Sequence, residues 1–519
     1  MTQQTAGLNA LAAQVWAMAG GQPETAAALA VSGPRNFLPS AFDVTGLATA
    51  SVAAATLAAA GYHAVRNEAP VAAVSVDSRA ACAAFAAEGL FAPDGWSLPD
   101  IWDPVAGNYQ ARDGWIRLHT NYAYHRAAVA KVLNADDRAG VQAAVSQWAV
   151  DELETAVVAA GGCAAAMHDR KAWLASPAGT ASAADQPLTV AERPLLGRPA
   201  GTAVRTADPA QRSGNQAKAG QTAGQSGDQS ASQADGRAGR AHGPARQPYT
   251  GVRVLDLTRV IAGPVCTRFL AAYGADVLRL DPPGFAEVPA LLPETTAGKR
   301  TASIDLTATA DRAVFERLVA GADVLVTGLR ADALGRLGYD DDALASLNPW
   351  LITASLNAYG WDGPWRDRRG FDSLVQMSCG IAAEGGATAA GATAAGAAAG
   401  GAAPGSGRPG PLPVQALDHA TGYLLAAAVG HALARRITAQ VVSRIKASLT
   451  GTANLLWSLP RPDSRAPQPL LPGRADIPLT PAVTAWGLAR RVALPGAIDG
   501  VVAELRVEAG PLGRHQPVW

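Results

Sequence analysis

The sequence predicts an α/β protein: an open parallel sheet flanked by helices, with a smaller α+β unit beside it. Three observations predict this class. From Gly251 onward, short β-branched and apolar runs alternate with helical stretches, the pattern of a parallel sheet. Upstream, a turn and strand at Asp113 to Leu118 lead into helices, the pattern of an α+β unit. Two stretches that nearly lack large apolar residues separate and interrupt these parts.

Taken in order, residues 1–70 read as helical. Leu8, Leu11, Val15 and Met18 share one face at helical spacing. A turn at Ser32-Gly33-Pro34 precedes an alanine-rich helix that begins after Asp43. Its first part, Val44 to Tyr62, is uncharged and long enough to span a bilayer. It is built mostly of Ala, Thr, Ser and Gly, so the expectation is a buried helix of a soluble protein. Residues 71–198 form the small unit. Val71 to Val76 reads as a strand, His125 to Leu133 as a helix, and Asp137 to Ala160 as one long helix stopped by Gly161-Gly162. Residues 199–248 are rich in Gly, Ser, Gln, Ala and Asp. Such a segment cannot bury enough surface to offset its ordering entropy and is expected to be a disordered linker.

Residues 249–519 are the large domain. Its first unit, Gly251 to Gly284, reads as strand, loop, helix and strand. Val252, Val254, Leu255 and Leu257 make the strand, and Thr258 to Gly263 the loop. Pro264 suits a first helical turn, and Gly274 ends the helix. A strand–helix–strand unit of this length is a parallel crossover, whose first loop is where open α/β sheets place ligands. Further strands are expected at Thr301 to Leu306, Asp323 to Val326 and Leu351 to Leu356, with helices at Thr309 to Ala320 and from Asp332. A second low-complexity insert, 387–410, precedes Asp418 and an alanine-rich helix running to Arg436. Leu38-Pro39 to Asp43 and Thr45-Gly46 echo Leu412-Pro413 to Asp418 and Thr421-Gly422, with one residue of difference on each side of the Asp. Chance in an alanine-rich chain accounts for the echo as well as duplication does.

Composition narrows the chemistry. Lys+Arg and Asp+Glu are both 43, so no net charge points to a nucleic acid or other polyanion. Cys82, Cys163, Cys266 and Cys379 are far apart, which argues against a zinc site or a disulfide framework. Reduced cysteines and an N-terminus without a basic leader imply a cytoplasmic protein. The histidines lack metal spacing, and no metal is expected. The loop Arg259 to Gly263 leads to a helix N-terminus, which favours anions. It lacks G-x-G-x-x-G, and the chain has no P-loop and no G-x-S-x-G elbow. The remaining reactive candidate is a carboxylate, Asp418, for which position alone favours the plainer role of a helix cap.

The blocks GVRVLDLTRVIAGPVCTRFLAAYGADVLRLDPPG, AGKRTASIDL, ADVLVTGLRADALGRLGY and LNPWLITASLNAYGWDGPWRDRRGFDSLVQMSCG resemble, in this order, the large, Rossmann-like domain of family III CoA-transferases. This superfamily includes carnitine-dehydratase-like (CaiB/BaiF-type) proteins and α-methylacyl-CoA racemases. DGWIRLHTNYAYHRAAVAKVL through GGCAAAMHDRKAW resembles the family's small domain. The order differs from the family's, where the small domain follows the catalytic aspartate. Here it comes first, after a partial large-domain-like copy around Asp43, so the chain reads as a rearranged or fused form.

The resemblance implies that Asp418, in Asp418-His419-Ala420-Thr421-Gly422, attacks an acyl-CoA thioester. An aspartyl anhydride and an aspartyl-CoA thioester follow, and CoA passes to a carboxylic acid. An ordinary Asp, pKa about 3.9, is expected to be ionised and to need no base. The resemblance further implies CoA contacts at Ile261, Ala262, Ile304, Gly328, Leu329, Arg336, Asn357 and Tyr359, with solvated helix residue as the plain alternative for Arg336. CoA and acyl-CoA are then substrates, no cofactor is permanently bound, no nucleic acid or membrane is a partner, and the assembly is a homodimer. Two other readings stand beside it. A racemase needs two acid/base groups, and racemases carry a histidine where this chain has Phe371. A non-catalytic CoA-binding scaffold is the third.

Overall fold

A computed structural model describes residues 3–195, 247–387, 407–462 and 479–519. Nearly all of the expected linker and the core of the 387–410 insert lie outside the described residues. The main sheet has seven strands. From one edge they are Lys299–Ser303, Asp276–Asp281, Arg253–Leu257, Val324–Thr327, Ile352–Asn357, Val441–Ser448 and Leu188–Pro194. The first six are parallel and the last is antiparallel. Strand order reverses between Arg253–Leu257 and Val324–Thr327, and the crevice outside the carboxyl ends of two such strands is the favoured ligand position in open α/β sheets.

The parallel strands are buried on both faces, which is why they read as apolar runs rather than alternating ones. One apolar core lies under helices Thr309–Ala320 and Asp341–Leu347, around Phe315, Leu325 and Leu344. The larger core, on the opposite face, contains helices Ala262–Ala272, Ala416–Thr438 and Val44–Asn67. The N-terminal 70 residues therefore pack into the main body. Helix Val44–Asn67 is long and apolar enough to cross a membrane, but 94% of its apolar window is buried inside the protein, as its small side chains suggested. Small residues let it lie close against Ala416–Thr438. A Cβ on Gly430 would come within 3.0 Å of the Ala58 Cβ and 2.6 Å of the Tyr249 hydroxyl.

Other parts depart from the sequence reading in informative ways. Leu188–Pro194, at the end of the stretch read as the small unit, is the edge strand of the main sheet. The expected long helix at 137–160 is two helices, Arg138–Val145 and Val150–Ala159. Ser146 to Ala149 break it, with the Val150 N–H held by the Asp113 carboxylate at 2.9 Å. The small unit itself has three antiparallel strands, Gly107–Gln110, Trp115–Leu118 and Ala164–Ala166, packed against its helices around Ile116, Val129 and Leu153.

The echo between the chain's two ends extends into the fold. Helix Val44–Asn67, strand Val74–Asp77 and helix Ser78–Phe85 follow Asp43. Helix Ala416–Thr438, strand Val441–Ser448 and helix Leu449–Ser458 accompany Asp418. In both copies the second short helix is capped by a side chain, Asp77 in one and Ser448 in the other.

Candidate active site

Strand Arg253–Leu257 ends in a fixed corner. The Asp256 carboxylate accepts from Lys299 Nζ at 3.0 Å, Thr267 Oγ1 at 2.6 Å, and both the amide (2.9 Å) and the hydroxyl (2.5 Å) of Thr258. Asp256 and Lys299 are both buried, and such a pair is tolerable only when its remaining bonding capacity is met, as it is here. Gly263 closes the corner: a Cβ there would lie 2.2 Å from the Thr258 Cβ. Between them Val260 adopts φ +64°. A β-branched residue in the left-handed region is strained by about 1–3 kcal/mol and persists only where its surroundings hold it.

The Asp418 helix crosses the helix that follows this corner. A Cβ on Gly422 would lie 2.4 Å from the Ala262 carbonyl oxygen, so glycine permits the approach. The crossing brings Asp418 to the mouth of a cavity of about 340 Å³ at the carboxyl ends of the switch-point strands. Its lining includes Ile261, Ala262, Gly328, Leu329 and Asn357, five of the positions that the resemblance implied, together with Asp418. Asn357 holds its own turn, donating to the Gly360 carbonyl at 2.6 Å and accepting from the Gly360 N–H at 3.0 Å.

Three implied positions fall outside the cavity lining. Ile304, beyond the outermost parallel strand, is buried among Leu280, Phe315 and Leu318 in the smaller core. Arg336 is exposed and paired with Asp332 one helical turn earlier. Tyr359 is buried between Trp173 and Trp365, with its hydroxyl 3.3 Å from Ser378 Oγ.

Asp418 is not the helix cap. Helix Ala416–Thr438 places it inside the first turn, and Gln415 at the cap position makes no side-chain bond. The Asp372 carboxylate caps from outside, accepting the amides of Leu417 at 2.8 Å and Asp418 at 3.0 Å. The Asp418 carboxylate thus accepts no hydrogen bond among the described residues and is left to the cavity. Nor is it an ordinary carboxylate, which corrects the sequence expectation. Burial, then Asp372, then Glu88, push its pKa well above the usual value. Asp372 is pushed up to about 6, mainly by burial, against the bonds it accepts. Burial also pushes Glu88 up, but the His419 ring 3.1 Å away brings it below its ordinary value.

The rest of the wall is assembled from segments distant in the chain. Tyr122, Tyr124 and His125 come from the small unit, and Arg330, Arg366, Arg368 and Arg369 from two strand-end loops. Arg368 is taken by Glu154 at 2.8 Å, while Arg330 and Arg369 have no carboxylate partner among the described residues. The run Trp365-Arg366-Asp367-Arg368-Arg369 just before Asp372 was the available signal. The Phe371 ring stacks on His119 at 3.7 Å between centroids. Burial, then Arg369, lower the His125 pKa to about 4, so its ring is neutral.

Outside the cavity, Asp151, Glu154 and His168 lie close enough to share an ion, but Glu154 is already committed to Arg368 and the Ala166 amide.

Comparison with known proteins fits this geometry. Residues 249–469 match the family model described as CoA-transferase family III. A probable fatty acyl-CoA transferase, Rv3272, of Mycobacterium tuberculosis is 32% identical over 242 residues, 43% of this chain and 57% of that protein. The acetyl-coenzyme A transferase nodX of Hypoxylon pulicicidum is 34% identical over 145 residues, 27% of this chain and 24% of its own. The succinate–glutarate CoA-transferase of Agrobacterium fabrum is 34% identical over 154 residues, 26% and 38% respectively. The crystal structure of Rv3272 aligns at 31% identity with a TM-score of 0.35, covering 41% of this chain and 57% of that one. The chain thus spans at most a little over half the length of these curated relatives. The region that matches the CoA-transferase family III model contains both the switch-point corner and Asp418.

Proposed function

We propose that the protein transfers CoA from an acyl-CoA to a carboxylic acid, with Asp418 as the nucleophile. The observation that carries this reading is the Asp418 carboxylate, which accepts no hydrogen bond among the described residues and lines the cavity at the switch point. In the ionised state one carboxylate oxygen attacks the thioester carbonyl, the C–S bond breaks, and CoA leaves as the thiolate. The thiolate then attacks the Asp418 carbonyl of the mixed anhydride, releasing the donor acid and leaving an aspartyl-CoA thioester. The acceptor carboxylate attacks this thioester and regenerates an anhydride and thiolate. Attack of the thiolate on the acceptor carbonyl forms the new acyl-CoA and frees Asp418.

The surroundings suit each need. The amides of Ala262 and Gly263, at the start of helix Ala262–Ala272, lack intrahelical partners and would be available to CoA phosphates or a developing oxyanion. Arg330 and Arg369 offer charge for phosphates. The aromatic rings from Tyr122 to Phe371 line one side of the cavity and would limit water access to an anhydride that hydrolyses readily. Tyr122, Tyr124 and His125 in that wall come from the N-terminal half, which thereby contributes to the site. The four free cysteines, all buried, support a reducing, cytoplasmic setting, and a homodimer is the proposed assembly.

The test is direct. The purified protein is incubated with a panel of acyl-CoAs and acids, quenched with hydroxylamine, and examined by mass spectrometry for an adduct at Asp418. CoA exchange with no trappable adduct sinks the covalent route. One observation favours a second reading, a racemase-type isomerase. His125 lines the same cavity, its ring 5.9 Å from Phe371, and is a neutral base. Deuterium uptake at the acyl α-carbon without an adduct would select that reading.

A further inference from the structure

The strained loop at Val260 has a specific support. The Val260 N–H donates to Glu287 Oε2 at 3.2 Å, and Arg279 Nη2 donates to the same oxygen at 3.0 Å. The other oxygen, Oε1, accepts from the Tyr122 hydroxyl at 2.6 Å and the Val288 N–H at 3.0 Å. The Glu287 side chain is fully buried. Its four bonds join three separate parts: the switch-point corner, the strand carrying Arg279, and the wall that the small unit contributes. Arg279 is also buried and shares its guanidinium with Asp281, which lies 3.6 Å from Arg259. Two guanidinium groups thus balance two carboxylates, so the cluster sets no net negative charge behind the loop that lines the cavity.

A buried carboxylate serving only to neutralise Arg279 has no need to bind Val260 and Tyr122. Val260 has no conformational reason of its own to adopt φ +64°, since its branched side chain opposes it. The carboxylate–amide bond supplies that reason. It turns the loop so that Ile261 and the first amides of helix Ala262–Ala272 face the cavity, while the Tyr122 bond closes the aromatic wall against the same loop.

We propose that Glu287 is a positioning residue, a clasp that holds the Val260 turn in its ligand-receiving shape and locks the Tyr122 wall to it. The role assigned to the loop rests on the CoA-transferase reading; the clasp itself does not. The assignment makes an unusual prediction about rescue. Glycine adopts a positive φ without steric cost. Val260→Gly should therefore restore what the loss of Glu287 takes away, which no purely structural role of a buried ion pair allows.

Four full-length proteins test this: the unaltered chain, Glu287→Gln, Tyr122→Phe, and Glu287→Gln with Val260→Gly. Hydrogen exchange read by mass spectrometry follows the amides of 258–263, and calorimetry measures the affinity for CoA. Glu287→Gln should speed exchange there and weaken CoA binding, each by about tenfold or more. Tyr122→Phe should speed loop exchange by a smaller factor with the melting temperature nearly unchanged, and it decides the matter if Glu287→Gln fails to fold. The double variant should bring CoA affinity back to within about threefold of the unaltered chain while keeping the lowered melting temperature of Glu287→Gln. Unchanged loop exchange in both single variants, or a double variant that binds CoA no better than Glu287→Gln, overturns the proposal. An unaltered chain that does not bind CoA sinks the functional reading instead, and loop exchange alone then decides the clasp.

Discussion

The chain carries two aspartates at the heads of two alike helices, and opposite responses to their removal are expected. Asp43 is a true cap: its Oδ1 accepts the Gly46 amide at 2.8 Å inside the core. Its Oδ2 lies 3.4 Å from Arg35, whose side chain is 31% exposed. Losing the cap costs about 1 kcal/mol, and a partly exposed pair at that distance adds only a few tenths. Relief of the burial that raises the Asp43 pKa offsets part of this. Asp43→Ala should then lower stability by about 1 kcal/mol and leave transfer within about twofold.

Asp418 differs in both respects. Its carboxylate caps nothing, and its folded-state pKa lies above the unfolded value. The stability this provides is fully present below the unfolded pKa and is lost as pH rises through the folded one. Asp418→Asn escapes that loss and should be more stable than the unaltered chain at pH 8. It also lacks the nucleophile, so transfer should fall by roughly 10³-fold or more. Urea denaturation at pH 5 and pH 8, alongside transfer assays on both variants, reads all four quantities. If Asp43→Ala loses transfer while Asp418→Asn keeps it, the wrong copy has been chosen. If Asp418→Asn destabilises at pH 8, the reading of a strained, unbonded carboxylate is wrong.

Other expectations follow from the same geometry. Attack requires ionised Asp418, whose pKa is held well above the usual carboxylate range by burial, then Asp372, so kcat/KM for acyl-CoA should rise with pH above that ordinary range. A flat profile from pH 5 to 8 would contradict this. Arg330→Ala and Arg369→Ala should each weaken CoA binding by about tenfold and make it less sensitive to salt. Calorimetry at two ionic strengths checks this, and unchanged affinity in both removes them from phosphate binding. Gly422→Ala forces a Cβ against the Ala262 carbonyl and Val265, and should destabilise by about 1–3 kcal/mol in thermal unfolding.

What could be read from the sequence was what is local. The strands and helices from Gly251 onward follow apolar runs and their punctuation, and the switch-point loop could be placed because a crossover dictates it. Asp418 stood out through the blocks around it. What escaped was long-range. The cap on its helix comes from Asp372, 46 residues upstream, and no pattern within a helix announces a cap from outside it. Tyr122, Tyr124 and His125 reach the cavity only because the small unit folds over the large one. The raised pKa of Asp418 depends on burial, then on Asp372 and Glu88, and none of these has a signature in the residues beside it. Ile304 shows the opposite failure. Its position relative to a strand was sound, but that strand is the outermost of the parallel set, two strands from the switch point, and its end meets the smaller core.

The two alike helix heads show how slight a change separates a capping aspartate from the one proposed to react. After Asp43 the Thr-Gly pair begins two residues on, and after Asp418 it begins three on. Along a helix one residue is a rotation of about 100°. In the first copy the helix begins at Val44, so Asp43 falls at the cap, outside helical geometry at ψ 66°, and its carboxylate is spent on Gly46. In the second the helix begins at Ala416, so Asp418 lies within the first turn and its carboxylate cannot close on an amide three residues ahead. That helix end would be left unsatisfied, and Asp372 satisfies it instead. The external cap frees the Asp418 carboxylate from a structural bond and, by its own charge, raises the free energy of the ionised form. A carboxylate that is both unbonded and destabilised has more to gain by becoming an ester-like anhydride than one held by hydrogen bonds. The feature that makes Asp418 a poor stabiliser of its helix is therefore the one that suits it to attack.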